Sequence, residues 1–337
     1  MYRITVLMPA YNVGAYIKEA IESVLAQTFK DFTLLVIDDC STDNTAEVVH
    51  SFSDPRIRYE KNEHNLGLAE NLNRGLELSD TELCARMDGD DIAEPNWLET
   101  GVKILDTHPE VGICSFGFQF FGTKTSVVRF PEHNEDSKAQ MLFGCTVIVP
   151  VFRRSVMAEN GFRYSTEAFP AEDYMMWSHC YRVTQVYNVQ ATLFHYRMHE
   201  TQISTSKRIA QQEKSDIVRL RMLEWLNPDF SEEEKLFFLQ KFVPGKIEKK
   251  DDVATLQKFA DLLVSRNLQN HYDNEALRRK FKTHIAYATL SFVEEEYFPK
   301  GYDLCRYMRF ATSGLSGIVP VKNRRKILAK SLLMKKK

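Results

Sequence analysis

The chain has 337 residues, of which 44% are hydrophobic and 12% aromatic, and this composition excludes an intrinsically disordered protein. Its length exceeds that of one ordinary compact core, so we expect one large domain with an appendage, or two domains. The formal net charge of −2 gives no general attraction for polyanions.

Strand-like and helix-like patterns alternate over the first hundred residues. Strands are predicted at 4–8, 32–37, 57–60 and 83–87, and helices at 17–25, 46–50 and 68–76. Pro95 is expected to open a further helix at its first position, where proline is tolerated. The order βαβαβαβ predicts an α/β fold with a mostly parallel sheet and helices on both faces.

Polar residues follow three of these strands, at Pro9–Asn12, Asp38–Asp39 and Asp88–Asp91. Ligands of parallel α/β sheets bind at the carboxyl ends of the strands. We therefore expect the three polar groups to converge on one crevice.

The pattern becomes mixed beyond residue 111 and then helical. Strands are expected at 112–121, 146–152 and 192–196, and a helix is expected to begin near Ala171. After Ser206 the chain consists of long, charged, helix-forming stretches. We expect a boundary near residue 205, which separates residues 1–205 from an α-helical C-terminal appendage, residues 206–337.

The cysteines and the N-terminus indicate a cytoplasmic protein. The six cysteines contain no CxxC pair and mostly lie in apolar runs, so we expect reduced packing residues in a reducing compartment. The segment Met1–Pro9 is too short for the apolar region of a signal peptide. No apolar run approaches the roughly 18–20 residues that span a bilayer.

The stretch CARMDGDD places three carboxylates, Asp88, Asp90 and Asp91, within four positions. Mg²⁺ and Mn²⁺ prefer such hard oxygen ligands, so the cluster indicates a site for a divalent cation. A solvated turn with one aspartate capping the next helix is an equally good interpretation of the cluster alone. An EF-hand is disfavoured because the ligand spacing and the late glutamate are absent.

Four motifs in order give the cluster a context: LMPAYNVGAYIKEAIESVLAQTF, LLVIDDCSTDNT, NLGLAENLNRGL and ARMDGDD. Over roughly residues 3–205 the chain closely resembles the family 2 glycosyltransferases, inverting enzymes with the Rossmann-like GT-A fold. The resemblance implies a nucleotide-sugar half at residues 1–100 and an acceptor half at residues 101–205.

The resemblance also implies roles for individual residues. The nucleotide-sugar contacts would be Pro9, Ala10, Tyr11, Asn12, Asp39, Arg86, Asp88 and Arg197. The ligands of a Mn²⁺ or Mg²⁺ ion would be Asp88, Asp90, Asp91 and His199. Such an ion stabilises the charge that develops on a nucleoside diphosphate leaving group. Many relatives carry glycine where this chain has Cys40, so the turn there is expected to differ slightly.

A second acidic pair, Glu172-Asp173, precedes a helical run. Two acids in a first turn favour the helix dipole by about 0.3–1 kcal/mol, which is a purely structural explanation. The resemblance instead implies that Asp173 is the general base for the acceptor hydroxyl, with Glu172 touching the acceptor or orienting the site. A positioned base contributes about 10²–10⁴-fold.

Two further segments bear on this site. In HYRMHETQIS, Arg197 would neutralise phosphate charge, and His195 shares its strand face with Arg197. Many relatives carry a histidine-proline pair just before Phe152, whereas this chain has Thr146–Pro150 without a histidine. An acceptor contact by that histidine is therefore not expected here.

The C-terminal segment from Lys322 to Lys337 contains eight basic residues and no acid. It is expected either to pack as a solvated final helix or to lie on an anionic membrane surface, which would place the protein at the inner face of the plasma membrane. Nucleic acid is disfavoured as a partner because no aromatic-basic module is present.

The resemblance therefore implies an inverting glycosyltransferase. It would move a hexose or N-acetylhexosamine from a nucleotide sugar, which we expect to be a UDP-sugar, to a saccharide or lipid-linked saccharide. Bacterial surface polysaccharide assembly is the setting that the resemblance implies. A sugar-nucleotide nucleotidyltransferase and a non-catalytic saccharide-binding member are the alternatives. A dinucleotide oxidoreductase is disfavoured because no GxGxxG follows a strand.

Overall fold

Strand β1 (Ile4–Ala10) is buried over its whole length and lies between β2 (Phe32–Asp38) and β4 (Leu83–Arg86). The structure is a computed structural model, and it describes residues 2–123, 125–199, 202 and 206–333. Strand β3 (Ile57–Lys61) pairs with β2, and all three pairings are parallel. Parallel strands covered on both faces are apolar throughout, which explains why these runs do not alternate.

Three helices connect these strands: α1 (Ile17–Leu25), α2 (Thr45–His50) and α3 (Leu68–Leu78). Helix α1 buries its predicted apolar stripe, which consists of Ile17, Ala20, Ile21 and Val24. The predicted βαβαβαβ order and its parallel sheet are confirmed.

The second half of the sheet is mixed. Its elements are β5 (Ile92–Ala93), α4 (Trp97–Thr107), β6 (Val111–Gly122), β7 (Ser126–Val128), α5 (Asn134–Gln140), β8 (Val151–Arg153), α6 (Arg154–Ala158), a 3₁₀ turn (Thr166–Ala168), α7 (Glu172–Cys180) and β9 (Gln185–Met198). The strand order is β3-β2-β1-β4-β8-β6-β9-β5, with β7 on β6. Strands β6 and β9 are parallel, whereas β8, β5 and β7 run antiparallel to their neighbours. The expected mostly parallel sheet flanked by helices is therefore confirmed.

The predicted helix start at Pro95 is wrong. Helix α4 begins at Trp97 and its N-cap is Asn96. The carbonyl of Pro95 accepts a 2.7 Å hydrogen bond from the N–H of Thr28, which holds the proline in a turn before the helix.

The predicted strand at 146–152 is also largely wrong, because only its last residues belong to β8. The hydroxyl of Thr146 bonds with those of Ser137, at 3.0 Å, and Tyr181, at 2.9 Å. Val147 and Val149 are buried in an irregular segment. The apolar pattern there reports burial rather than a strand.

Helix α4 approaches β8 closely at Gly101. A Cβ atom at this position would lie 2.8 Å from the Cβ of Val151 and 2.7 Å from one of its methyl groups. Both residues are buried, so the helix and the strand can pack at this distance only with glycine.

The chain divides into two compact units, residues 1–218 and 219–337. Helix α8 (Arg208–Leu226) contains the division, and the second unit continues with α9 (Glu232–Phe237), a π-helical turn (Phe238–Phe242), α10 (Lys250–Ser265), α11 (Asn274–Tyr297), α12 (Leu304–Thr312) and α13 (Val321–Leu333). The expected helical C-terminal region is confirmed. The boundary predicted near residue 205 falls outside the described residues and stays a prediction.

Two sequence expectations concern the whole chain. All six cysteines are free. Among the described residues, no helix combines the length and the apolar character that crossing a bilayer requires.

Candidate active site

The carboxyl ends of β1, β2 and β4 lie side by side, since Ala10 pairs with Asp38 and Leu7 pairs with Arg86 in the parallel ladders. The polar groups that follow these three strands therefore meet at one edge of the sheet, as predicted. Pro9 and Ala10 themselves are buried at the end of β1.

Asn12 fixes the turn after β1. Its backbone lies in the left-handed region (φ +53°). Its N–H donates to the hydroxyl of Ser41 at 3.0 Å, and its side-chain carbonyl accepts from the N–H of Thr42 at 2.9 Å. These bonds join the loops after β1 and β2, and neighbouring Tyr11 keeps half of its surface exposed. An exposed ring on a fixed turn is suited to stacking on a flat ligand.

The carboxylate of Asp39 organises the opposite wall of the crevice. It is 2% exposed and accepts hydrogen bonds from the side-chain amide of Asn62, at 2.7 Å, and from the backbone N–H groups of Leu66 and Gly67, at 2.8 and 2.9 Å. The amide of Asn62 also donates to Asn71, which in turn donates to the carbonyl of Ile37 at the end of β2. Asp39 thus holds the segment that begins helix α3.

Asn62 and Asn71 were not predicted as site residues. Both are buried polar residues in the NLGLAENLNRGL region or directly before it. Asparagines between the apolar positions of that motif, such as the buried Asn71 and Asn73, were the available signal, because buried amides require specific partners.

Cys40, directly after Asp39, has a backbone φ of +63°. Residues with a Cβ atom rarely adopt this conformation, whereas glycine adopts it readily. This turn therefore differs from that of the relatives with glycine in its residue type. Its backbone still has the left-handed conformation that suits glycine.

Three of the four predicted metal ligands, the aspartates, form a cluster. One carboxylate oxygen each from Asp88, Asp90 and Asp91 lies within 4.8 Å of the others. Asp91 is buried and accepts a 2.8 Å hydrogen bond from the N–H of Arg197. Burial raises the pKa of Asp91 well above its ordinary value, and the charges of Asp90 and Asp88 raise it further.

The cluster fits a divalent cation. Three hard oxygen donors converge, and His199 Nε2 lies 2.9 Å from an Asp90 oxygen. Burial likewise raises the pKa of Asp88 to about 6, and the negative charge of Asp90 adds to this effect. A bound dication would relieve this repulsion, and carboxylate oxygens are the ligands that suit Mn²⁺ and Mg²⁺.

Arg86 connects this cluster with the second acidic pair. The guanidinium is 6% exposed. Its Nη2 lies 2.8 Å from Asp88, and its Nη1 lies 2.7 Å from Asp173. The two acids therefore face one another across a single buried cation. The predicted site residues Arg86, Asp88 and Asp173 are brought together by this arrangement.

Glu172 and Asp173 occupy the first turn of α7, after the N-cap Ala171, where the sequence placed them. One oxygen of each carboxylate is buried without a hydrogen-bond partner among the described residues. Burial raises the pKa of Asp173, and Arg86 opposes this shift. Burial also raises the pKa of Glu172 to about 7, with a further contribution from Asp173. Carboxylates with raised pKa values and a free oxygen can accept a proton near neutral pH.

The end of β9 lies against the metal-binding cluster. Arg197 Nε donates to the backbone carbonyl of Asp90 at 2.7 Å, and its Nη2 pairs with Glu19 at 2.6 Å. Tyr16 lies beneath both side chains: the Arg197 guanidinium is 5.1 Å from the ring centre, and the His199 ring stacks on it at 4.9 Å. Tyr16 was not predicted, since it precedes α1 without any charged or metal-binding group.

His195 is placed differently. Its Nε2 lies 2.6 Å from Glu94, and its ring packs edge-on against Phe121, which also contacts Arg197. The shared strand face is confirmed, but the histidine pairs with Glu94 rather than with the three aspartates.

A family model described as "Glycosyl transferase family 2" matches residues 5–159. A protein of Haemophilus influenzae named "Uncharacterized glycosyltransferase" is 30% identical over 217 residues, which cover 60% of this chain and 67% of that protein. The Escherichia coli protein WfgD, named as a UDP-Glc:alpha-D-GlcNAc-diphosphoundecaprenol beta-1,3-glucosyltransferase, is 27% identical over 210 residues, or 61% and 81% of the two chains.

Two solved structures share the fold. The complex of S. aureus TarS 1–349 with UDP-GlcNAc has a TM-score of 0.58 at 19% identity, covering 89% of this chain and 93% of that one. The mannosyltransferase PcManGT from Pyrobaculum calidifontis, in complex with GDP-Man and Mn²⁺, has a TM-score of 0.52 at 16% identity, covering 88% and 89%.

Proposed function

The chain belongs to glycosyl transferase family 2 and is a glycosyltransferase, and from this premise we propose that it is a metal-dependent inverting enzyme. It would transfer a hexose or N-acetylhexosamine from a UDP-sugar to a hydroxyl of a saccharide or lipid-linked saccharide, in bacterial surface polysaccharide assembly. The names of WfgD and TarS support a UDP-sugar donor, and that of WfgD supports a lipid-linked acceptor.

The observation that carries the proposal is the contact of Arg86 with both Asp88 and Asp173. An inverting transfer needs a leaving-group site and a general base on opposite sides of one sugar. Asp88 and Asp173, the acids that we propose for these two roles, both contact Arg86 although they are 85 residues apart in sequence, and this contact supports the proposal.

On the donor side, Tyr11 would stack on the base of the nucleotide. Asn12 would hold the turn that presents the Tyr11 ring, and the buried residues Pro9 and Ala10 would support this turn from the end of β1. Asp39 would contact the base with its remaining acceptor capacity. Asp88, Asp90, Asp91 and His199 would hold Mn²⁺ or Mg²⁺, which when bound neutralises charge on the diphosphate as a Lewis acid. Arg197, with its guanidinium against Asp90, would add positive charge there.

On the acceptor side, Asp173 would accept the proton of the attacking hydroxyl through its unpaired oxygen. Arg86 holds the other oxygen at 2.7 Å and thereby orients the carboxylate. The buried, unpaired oxygen of Glu172 would accept a hydrogen bond from a second acceptor hydroxyl. The raised pKa of Asp173 places its proton affinity nearer to neutral pH, which favours a general base.

We also propose that the transferase activity resides in residues 1–205, with the donor half at 1–100 and the acceptor half at 101–205. The donor-side residues Tyr11, Asp39 and Asp88 lie in the first half and Asp173 in the second, which supports this division.

The test is a panel of nucleotide sugars, each added with and without Mn²⁺. The rise in melting temperature is measured first, and then the slow hydrolysis of each sugar and its transfer to saccharide hydroxyls. We expect one UDP-sugar to stabilise the protein only with Mn²⁺ and to release UDP. Release of pyrophosphate from UTP and a sugar phosphate would instead establish a nucleotidyltransferase. Binding without turnover of any donor would establish a non-catalytic member.

A further inference from the structure

The charges of this chain are separated along its length. Residues 304–337 contain ten lysines and arginines and no acid, whereas the first 303 residues contain the remaining 34 basic residues and all 46 acids, a net charge of −12. Seven of the ten basic residues lie in the described part of this segment, helices α12 and α13, which pack on one another and which we call the basic hairpin (Leu304–Leu333). The overall charge of −2 conceals this segregation.

Helix α13 turns one face inward and another outward. Ile327 and Ser331 are buried. The exposed positions recur with the period of a helix, and they are Val321, Lys322, Arg325, Lys326, Ala329, Leu332 and Leu333. Leu332 and Leu333 are 52% and 77% exposed. The outer face therefore combines basic and apolar side chains, and neither kind is used in packing.

Helix α12 of the hairpin also exposes one apolar and one basic side chain, Met308, which is 54% exposed, and Arg309. Two other basic residues of the hairpin are already engaged, since Arg306 pairs with Asp303 and Lys330 donates to the hydroxyl of Tyr302. A third, Arg324, is only partly exposed. Four exposed bases remain available, because Arg309, Lys322, Arg325 and Lys326 form no ion pair within the part of the chain that the structure describes.

We propose that the outer face of the basic hairpin is a docking surface for an anionic phospholipid membrane. Basic side chains attract anionic headgroups, and apolar side chains beside them enter the boundary between headgroups and acyl chains. A soluble polyanion would engage the charges alone and leave Leu332 and Leu333 in water. The pairing of exposed leucines with unpaired bases is what selects a lipid surface.

This inference is independent of the transfer reaction, because it uses no residue of the candidate active site. Lys335, Lys336 and Lys337 follow the hairpin in the sequence but lie outside the described residues. The proposal therefore rests on Leu304–Leu333 alone.

The experiment is co-sedimentation of the full chain with two kinds of vesicle. One kind is phosphatidylcholine alone, and the other also contains about 40 mol% of the anionic lipid phosphatidylglycerol. The basic variant is Lys322→Gln/Arg325→Gln/Lys326→Gln, and the apolar variant is Leu332→Ser/Leu333→Ser. A matched control, Lys103→Gln/Lys258→Gln/Lys282→Gln, removes the same charge from exposed lysines elsewhere. Circular dichroism and thermal unfolding verify that each variant is folded.

We expect the wild type and the control to bind the anionic vesicles and not the neutral ones, with binding that falls as salt rises. The basic and the apolar variants should each bind at least about tenfold more weakly. Wild-type binding by a folded basic variant, or equal loss in the control, would overturn the proposal. Tight binding of heparin that is unaffected by the leucine substitutions, without vesicle binding, would assign the surface to a soluble polyanion and overturn it as well.

Discussion

Arg86 donates a 2.7 Å hydrogen bond to Asp173, a residue 87 positions further along the chain. One guanidinium thereby connects strand β4 with the first turn of α7, and its other nitrogen pairs with Asp88. The same contact orients the proposed base and limits the repulsion between two partly buried acids.

Asp173→Asn should abolish proton acceptance without altering the donor site. We expect sugar transfer to fall by about 10²–10⁴-fold, the usual contribution of a general base. Stabilisation by the UDP-sugar with Mn²⁺ should stay close to that of the wild type. The control is Asp80→Asn, an exposed acid in the loop between α3 and β4, and it should retain full activity. Normal turnover in Asp173→Asn would eliminate this residue as the base.

Asp90→Asn should have the complementary effect, because it removes one of the three clustered oxygens. We expect the Mn²⁺-dependent rise in melting temperature with a UDP-sugar to disappear, together with activity. Differential scanning fluorimetry over a Mn²⁺ titration measures this directly. An unchanged Mn²⁺ midpoint would show that the ion is held elsewhere.

Arg86→Met should destabilise the fold by about 3 kcal/mol, the low end of the cost of breaking a buried ion pair, because it leaves the partly buried Asp88 and Asp173 without their cation. Adding Asp173→Asn should restore part of the loss, as expected for residues in contact. Urea unfolding of the two single variants and the double variant gives the coupling energy.

The comparison for this cycle is Arg163→Met, which breaks a solvent-exposed pair with Glu77 and should cost no more than about 1 kcal/mol. If Arg86→Met costs equally little, the Arg86 bridge is not a buried pair in solution.

Glu172→Gln should change how stability depends on pH. The pKa of Glu172 is raised from 4.5 to about 7 in the folded protein, so the folded state holds a proton that the unfolded state has lost. This contribution is present at low pH and disappears as pH rises from about 4.5 to 7. The variant cannot lose that proton, so its melting temperature relative to wild type should be higher at pH 8 than at pH 5. A difference that is constant between these pH values would contradict the burial of a protonated Glu172.

Gly101→Ala should destabilise the first unit although alanine is the better helix former. The added Cβ would meet the Cβ of buried Val151 at 2.8 Å, and overpacking of this kind costs about 1–3 kcal/mol. The matched change Gly144→Ala adds a methyl group where no atom lies within 4 Å. We expect chemical denaturation to separate the two variants by at least about 1 kcal/mol. Equal midpoints would show that α4 can move away from β8.

The elements that were predictable from sequence are those whose signal is local. The buried strands β1 and β2 are continuous apolar runs, and polar residues follow each of them directly in sequence, so the meeting of these polar residues at one sheet edge follows from parallel pairing. The first turn of α7 was likewise located by Glu172 and Asp173. Each of these features needs only neighbouring residues and a general rule.

Features that depend on a distant partner were not predictable. The dual contact of Arg86 requires α7 to reach β4, and the bonds from Asn62, Leu66 and Gly67 to Asp39 require a loop to fold back on β2. A strand was wrongly predicted over most of residues 146–152, because a buried irregular segment has the same apolar pattern as a strand. In each of these cases the structure depends on which residues become neighbours in space, and residue type alone does not reveal this.

The three hydrogen bonds that Asp39 accepts from residues 62–67 affect how donor choice can evolve. A substitution at Asp39 that altered recognition of the base would at the same time release the start of α3. New donor preferences are therefore more accessible through Tyr11, whose ring is half exposed and can be exchanged without dismantling a wall of the crevice. Libraries that aim to retarget the enzyme should be concentrated there.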